Sequence, residues 1–445
     1  MNFLSEIRDQ GRRLAVDALS GGGIERASPD SPAVPSDLAA WLPDLFDRFP
    51  LVFPWEQPTP VDPALHSVWL LDNTAFRSPS NPKDRGSLRD VKDPKDAQPS
   101  LINGNNGHPE PSGWEAEFVA CFFIKNSGRS VSAIAAQIAR QLNIGEEDIA
   151  TRKRIAAHVQ PFADTVLPNR TLRIAINNAE EQTLGPSGYS GISSDIHALH
   201  IPASAGDTLT SVPVALPAPF SLPGKTICAA ETGWGVISDI DDTIKVTMTP
   251  SPLGILHSTF VVETPQPVAG MPELYSTLTS ILQSPPFFYL SASPYNLYPF
   301  LRRFRDAHYP PGTIVLRDAS WQNLGGLISS LTQGTQNYKV SRMEKMHAWF
   351  PKRKFVCIGD STQSDPESYG EMARKHPGWI GAIFVRRVEG IAEMSVEDKN
   401  SDERFEKAFK GLDRSLWHVF TDPDEIRTRV EELVRTEDAS VHEEK

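Results

Sequence analysis

In the second half of the chain, short apolar runs alternate with longer amphipathic stretches. Such runs are typical of strands buried on both faces of a parallel sheet, and the stretches between them have the period of helices. The predicted strands are Gly235–Ser238, Phe287–Leu290, Thr313–Leu316, Phe355–Ile358 and Ile380–Val385. The predicted helices include Met271–Leu282, Pro299–Ala307, Val340–Trp349 and Glu367–Lys375. The pattern predicts a doubly wound α/β domain over residues 225–435, in which ligands bind beyond the carboxyl ends of the strands.

Residues 51–218 have a different pattern, in which short alternating segments are separated by turn-forming residues. Alternation indicates strands with one buried face, so we predict a mostly β accessory domain here. Its predicted strands include Ser67–Leu71, Glu115–Ile124, Arg154–Val159 and Thr171–Ile176. Residues 131–142 interrupt the domain with a helical period, and residues 79–112, which are rich in Pro, Asp, Asn and Gly, are predicted to form a mobile loop.

The two ends of the chain differ from both domains. Residues 1–50 contain a short helical period and then a Pro/Ser-rich stretch, which predicts a flexible segment. Within it, Arg26 to Pro32 has the basic-x-x-Pro-x-x-Pro spacing of peptides that bind SH3-type adaptors, although chance matches to this spacing are common. Residues 436–445 are predicted to form a charged tail.

Composition excludes several classes of protein. A net charge of −12 argues against nucleic-acid binding and against broad attachment to anionic membranes. The three cysteines have no paired spacing, so neither a disulfide framework nor a thiolate zinc site is indicated. No apolar run approaches the roughly 20 residues of a transmembrane helix. We therefore expect a soluble, cytoplasmic protein whose lipid contacts are local.

Polar residues follow three of the predicted strands, at the point where each strand ends. Because the carboxyl ends of parallel strands meet at one sheet edge, these side chains are expected to converge. Lys339 is predicted to open the helix that precedes the strand at 355–358. The residues that follow the strands are Asp239, Asp241, Thr243, Ser291, Asp360 and Asp365.

Carboxylates at this position suit phosphoryl transfer. A phosphate monoester repels an anionic nucleophile, so attack by a carboxylate requires a divalent cation and fixed donors. Asp239 and Asp360 supply the hard oxygen ligands that Mg²⁺ prefers. Asp239 is predicted to attack phosphorus and form an aspartyl-phosphate. Asp241 is predicted to protonate the leaving alkoxide and later to activate water.

The remaining residues of the cluster have supporting roles in this hypothesis. Ser291 and Lys339 are predicted to bind the non-bridging phosphate oxygens, and Asp365 to hold Lys339 or a metal-bound water. Each residue alone is a common cap, turn or surface residue. Their joint occurrence at strand ends is what favours catalysis. His257, His308 and His347 are isolated in sequence and predict no zinc site.

The same residues resemble the four motifs of the haloacid dehalogenase-like superfamily. The matching segments are Asp239-Ile-Asp-Asp-Thr243, Ser291, Lys339, and Gly359-Asp360 to Asp365. The aspartate at position 241 points to phosphohydrolases or mutases within it. More narrowly, the chain is similar to the catalytic domain of fungal actin-patch phosphatidate phosphatases over about residues 225–430. The segments that carry this similarity are 238–245, 270–275, 289–294, 316–318 and 359–367.

The resemblance implies a substrate, a cofactor and a setting. The substrate would be phosphatidate, the product diacylglycerol, and the setting a peripheral one at endocytic membranes or cortical actin patches. The cofactor would be Mg²⁺, held by Asp239, Asp360 and the backbone carbonyl of Asp241, with Thr243 among the catalytic residues.

The connections around the site are short. Residues 244–286 and 292–338 leave little room for a large cap domain, so we expect an open site that accepts phosphate presented by a membrane or a protein. Two alternatives remain at this point. One is a phosphatase for soluble or protein-bound phosphate, and the other is a noncatalytic scaffold at membranes or actin.

Overall fold

The structure is a computed structural model, and it describes residues 57–77, 113–125, 127, 131–214, 216, 221–318, 334–391 and 395–443. The predicted flexible N-terminal segment, its Arg26 to Pro32 spacing and the predicted loop at 79–112 lie outside these residues. Residues 436–443 of the predicted charged tail continue the final helix.

The first half of the chain is mostly β, as its alternating pattern predicts. Eleven strands form one sheet in the order β1-β6-β9-β11-β3-β4-β2-β10, with β5 and β8 paired to β4 and β7 paired to β6. Most of these pairings are antiparallel. The strands are β1 (Thr59–Pro60), β2 (His66–Leu70), β3 (Asn73–Arg77), β4 (Trp114–Ile124), β5 (Thr165–Val166), β6 (Arg170–Ile176), β7 (Glu180–Leu184), β8 (Ile192–Leu199), β9 (Thr208–Pro213), β10 (Ser221–Leu222) and β11 (Gly224–Cys228).

Two helices interrupt this β region. Helix α1 (Val131–Gln141) confirms the helical period seen in the sequence. Helix α2 (Ile149–Ala163) contains Arg154–Val159, so the prediction of a strand there is wrong. A short apolar run fits either element, and two features favour the helix. Asp148 caps its first turn by accepting the N–H of Thr151, and Ile155 and Val159 share one buried face.

The second half of the chain forms a six-stranded sheet in the order β14-β13-β12-β15-β16-β17. All five pairings are parallel. Five of its strands were predicted, and the sixth, β17, was not. The strands are β12 (Trp234–Ser238), β13 (Phe287–Pro294), β14 (Gly312–Arg317), β15 (Lys354–Asp360), β16 (Ile380–Arg386) and β17 (Trp417–Phe420).

Helices connect these strands. The four predicted helices are confirmed, and α6 begins at Thr335, so Lys339 lies inside this helix and not at its start. The helices are α3 (Pro252–Leu256), α4 (Met271–Ile281), α5 (Tyr298–His308), α6 (Thr335–Trp349), α7 (Asp365–Lys375), α8 (Val396–Lys399), α9 (Asp402–Ala408) and α10 (Asp424–Glu443). A π-helical turn, His257–Val261, follows α3.

Apolar side chains cover both faces of the parallel sheet. Along β12, Val236 packs with residues of α4, α5 and α10, whereas Ile237 packs with residues of α6, α7 and α9. This alternation follows the pleat, which points successive side chains to opposite faces. The sheet is therefore buried between two helical layers, and polar side chains collect at its carboxyl edge.

The β region packs directly on the parallel sheet. One apolar cluster contains Phe123 and Val159 of the β region together with Tyr289 of β13. The buried Asp72 accepts a hydrogen bond from Arg305 of α5 at 2.7 Å. Both parts of the chain therefore contribute to one continuous core.

Candidate active site

The structure brings every predicted site residue to the carboxyl edge of the parallel sheet. The side chains come from the ends of β12, β13 and β15 and from helices α6 and α7. They are at most 3% exposed. The residues are Asp239, Asp241, Thr243, Ser291, Lys339, Asp360 and Asp365.

Three of the carboxylates lie within reach of one ion. Oxygen atoms of Asp239, Asp360 and Asp365 lie within 4.8 Å of one another. The Lys339 Nζ donates to Asp239 Oδ1 at 2.7 Å and also to Asp365 Oδ1. The Thr243 hydroxyl lies 2.9 Å from Asp360 Oδ2 and 3.2 Å from Asp239 Oδ2. Thr243 therefore bridges the two predicted metal ligands.

Asp365 is held from both of its oxygens. Oδ1 accepts from Lys339, and Oδ2 accepts the backbone N–H of Asp360 at 3.0 Å. These two bonds position Lys339 and the backbone of Asp360, which fits the predicted supporting role. Each oxygen keeps a further lone pair, and Asp365 also belongs to the three-carboxylate group that could hold an ion.

The charges of this cluster do not balance. Three carboxylates face one ammonium, which gives a charge of −2 if all are ionised. Burial raises the pKa of Asp239 well above its ordinary value, and the neighbouring Asp365 raises it further. Burial also raises the pKa of Asp360 to about 7, again with a contribution from Asp365. A hard divalent cation fits both the oxygen donors and the missing charge.

Asp241 occupies a separate, balanced part of the site. Its Oδ2 accepts the hydroxyls of Ser291 at 2.7 Å and Ser293 at 3.1 Å. Its Oδ1 accepts the hydroxyl of Thr247 at 2.8 Å and lies 3.3 Å from Lys245 Nζ. Burial alone would raise the pKa of Asp241, but Lys245 and these hydroxyls outweigh it and lower the pKa. Asp241 is therefore held ionised.

Several residues of this site were not among those predicted from the sequence. Lys245, Thr247 and Ser293 contact Asp241, and Thr362 donates to Asp360 through its backbone N–H at 2.6 Å and its hydroxyl at 2.5 Å. Lys245 ends the run that begins at Ser238, so its position was an available signal. Ser293 lies two residues after Ser291 in β13, whereas Thr247 and Thr362 lie in the loops after β12 and β15, whose paths no periodicity describes.

His347 is isolated in sequence but not in space. Its ring stacks on that of His376 with centroids 3.7 Å apart. Glu344 completes a second group whose ligand atoms lie within 4.8 Å of one another. Direct contacts explain why these side chains lie together, since Glu344 pairs with His376 at 2.6 Å and with Lys375 at 3.4 Å.

Sequence comparisons place this site in a known context. Residues 234–387 match the family described as the catalytic domain of phosphatidate phosphatase APP1. Phosphatidate phosphatase APP1 of Saccharomyces cerevisiae is 28% identical over 256 residues, which are 55% of this chain and 42% of that protein. An uncharacterized protein of Schizosaccharomyces pombe is 29% identical over 160 residues, which are 35% of this chain and 25% of that protein.

The matches cover less than half the length of these two relatives. The matched segment, however, contains all seven residues that the sequence predicts for the site. The resemblance predicted from the motifs is confirmed, and the chain is similar to the fungal phosphatidate phosphatases of the APP1 type.

Proposed function

We propose that the chain is a Mg²⁺-dependent phosphatidate phosphatase, which hydrolyses phosphatidate to diacylglycerol and phosphate. The observation that carries the proposal is the buried group of Asp239, Asp360 and Asp365 around a single ammonium. We further assign the six-stranded sheet with its two helical layers to the doubly wound, haloacid dehalogenase-like fold. The similarity to APP1 supports the lipid substrate.

Asp239 is the proposed nucleophile. The Lys339 ammonium donates a hydrogen bond to one oxygen of Asp239 and so holds this carboxylate at the carboxyl edge of the sheet. There Asp239 attacks phosphorus to give an aspartyl-phosphate. Mg²⁺ bound by Asp239, Asp360 and the backbone carbonyl of Asp241 would neutralise part of the charge on the phosphate oxygens. Ser291 and Lys339 supply further donors for those oxygens.

Asp241 is the proposed acid and base. It is held ionised by Lys245, which suits the second half of the reaction, in which it removes a proton from the attacking water. In the first half it has to donate a proton to the leaving alkoxide. An anionic phosphate beside Asp241 raises the pKa of this carboxyl, so the substrate itself favours the protonated form.

Phosphate release tests this proposal. Purified full-length protein is assayed with phosphatidate in phosphatidylcholine vesicles and with soluble phosphate esters, each with Mg²⁺ and with a chelator. We expect Mg²⁺-dependent release from phosphatidate. Release from soluble esters alone would overturn the lipid assignment, and release from neither would favour the noncatalytic scaffold.

The cellular setting is a separate proposal. From the resemblance of its motifs to the fungal actin-patch phosphatidate phosphatases, we propose a location at endocytic membranes or cortical actin patches, with recruitment by an SH3-type adaptor through Arg26 to Pro32. Imaging of the tagged chain beside an actin-patch marker tests the location. If an adaptor recruits the protein through this segment, replacing Pro29 and Pro32 by Ala should abolish the signal at the patches.

A further inference from the structure

An uncharged loop beside the site exposes apolar side chains that have no role in the proposed mechanism. Residues 246–262 contain no Asp, Glu, Lys or Arg. Three of its large apolar side chains are exposed to solvent, namely Val246 at 44%, Met248 at 38% and Leu253 at 50%. The other exposed large apolar residues in the described part of the chain are scattered along it, at 65, 149, 189 and 214. Clustered exposed apolar side chains indicate an interaction surface, whereas scattered ones need no explanation.

Hydrogen bonds hold this loop in one conformation. Asp242 Oδ1 accepts the backbone N–H of Thr247 at 2.9 Å and of Met248 at 2.7 Å, and Oδ2 accepts that of Thr249 at 2.6 Å. Met248 has a φ of +60°, which is unfavourable for a residue with a Cβ atom. A residue keeps such an unfavourable φ only where the surrounding contacts impose it. The contacts of the loop therefore fix the exposed position of Met248.

Helix α3 fixes the other end of the loop. Ser251 caps the helix by accepting the N–H of Gly254, and Ile255 and Leu256 are buried in the core. Gly254 packs closely under the loop, because a Cβ added there would lie 2.6 Å from the Cβ of Met248. Leu253 lies in the chain between the cap residue and these buried residues, and its side chain is held on the solvent-exposed side of the helix.

The loop is also continuous with the catalytic residues. The Thr247 hydroxyl donates to Asp241, and the exposed Val246 and Met248 are its immediate neighbours in the chain. Asp239 and Asp241 are only 1% and 3% exposed. A phosphate that reaches these carboxylates therefore comes close to the loop, and so does whatever the phosphate is attached to.

We propose that residues 246–253 form a membrane-docking loop, whose side chains Val246, Met248 and Leu253 enter the lipid surface. The inference rests on the proposed function, because a phosphatidate that stays in its bilayer brings that bilayer up to the site. An uncharged loop enters the headgroup region without desolvating an ion. The chain's net charge of −12 makes apolar contact the stronger means of holding it on an anionic surface.

A pair of matched double variants tests the proposal in the full-length protein. Val246→Ser/Leu253→Ser removes two apolar side chains from the docking loop. Val214→Ser/Leu65→Ser removes the same residue types from the β region, where Val214 is 43% and Leu65 57% exposed. Binding is measured by sedimentation with phosphatidylcholine vesicles that contain phosphatidate. Turnover is measured on the same vesicles and on monomeric dibutyryl phosphatidate, and circular dichroism checks the fold.

We expect the loop variant to bind and hydrolyse vesicles about tenfold less well, since partial burial of a Val and a Leu is worth at least this factor. The loop variant should hydrolyse dibutyryl phosphatidate at the wild-type rate. The β-region variant should bind and hydrolyse vesicles as well as the wild type does. Wild-type protein that does not sediment, a loop variant that sediments normally, or equal losses in both variants would overturn the proposal. Failure of the proposed function is distinguishable, because sedimentation does not require turnover.

Discussion

Lys339 Nζ donates to Asp239 Oδ1 at 2.7 Å, with both side chains at most 1% exposed. Burial alone would lower the pKa of Lys339, but Asp239 and Asp365 outweigh it and raise the pKa above 10.5. Lys339 is therefore a permanent cation in the carboxylate cluster. Its charge is needed both to keep the cluster folded and to hold the proposed nucleophile.

Replacing Lys339 by Met is expected to abolish phosphate release and to lower the free energy of unfolding by about 3–5 kcal/mol, the usual cost of leaving a buried charge without its partner. Urea denaturation without Mg²⁺ measures the stability. Lys352→Met, which removes a lysine whose side chain is 64% exposed, is the control and should change stability by about 0.5 kcal/mol or less. Equal losses in both variants would contradict the argument.

Replacing Asp239 by Asn is expected to lower kcat at least about a thousandfold, because the amide is a poor nucleophile and cannot form the aspartyl-phosphate. The fold should persist, since Asn has the size of Asp and relieves the crowding of carboxylates. Asp402→Asn, at a side chain that is 90% exposed, is the matched control. Unchanged turnover in Asp239→Asn would refute the assignment of the nucleophile.

Mg²⁺ is expected to raise the Tm of the wild-type protein, because binding to the folded state alone stabilises it. Asp360→Asn removes one proposed ligand and one negative charge, so its Tm should be higher than that of the wild type without Mg²⁺ and should respond less to the ion. Differential scanning calorimetry over a range of Mg²⁺ concentrations measures both effects. An identical response of the two proteins would exclude Asp360 as a ligand.

The contact between Asp72 and Arg305 joins the β region to the parallel sheet. Arg305→Met is expected to destabilise the protein by about 3 kcal/mol, because the buried Asp72 then keeps the Arg302 guanidinium at 3.3 Å as its cationic partner, besides the Lys225 N–H at 2.8 Å. Addition of Asp72→Asn should recover part of this loss, which a double-mutant cycle quantifies. The exposed Arg303→Met is the control, and additive losses in the cycle would argue against coupling.

A second contact between these regions predicts a dependence on pH. Burial alone would raise the pKa of Glu117, but the Lys345 ammonium and the Ser194 hydroxyl outweigh it and lower the pKa below 4.5. A carboxyl with a lowered folded-state pKa stabilises the protein above its ordinary pKa, and this stability is lost as the pH falls below about 4.5. Glu117→Gln should therefore flatten the fall of Tm between pH 6 and pH 3.5. An equally steep fall of Tm in Glu117→Gln and in the wild type would contradict this assignment.

The sequence predicted the parallel sheet better than the β region. Strands such as Phe355–Ile358 are apolar on both faces. A short, uninterrupted apolar run between two helical periods is therefore readily assigned to a parallel sheet. Helix α2 was misread because its apolar positions fit both periods over a short window. Strand β17 was not predicted at all. It has four residues, of which only Trp417 and Phe420 are buried.

The site was predictable where its residues follow strands. Asp239 follows β12, Asp360 ends β15 and Ser291 lies in the second half of β13, so the sheet itself brings them together. Asp242 was not assigned a position, although it lies in the same run. Its φ of +61° and its three backbone contacts depend on how the following loop turns back. Contacts of this kind depend on tertiary structure and leave no periodic signal.

The insertion of β15 between β12 and β16 determines when the proposed active site can first form. Asp239 and Asp360 become neighbours only after residues that are far apart in sequence have paired, as in the hydrogen bond from the Asp239 N–H to the Ile358 carbonyl at 2.9 Å. Such non-local pairing is slow and comes late in folding. While residues 240–360 are being synthesised, the chain would therefore carry Asp239, the proposed nucleophile, without the Asp360 beside which it lies in the folded site. Catalytic activity should return during refolding in step with the docking of this single strand.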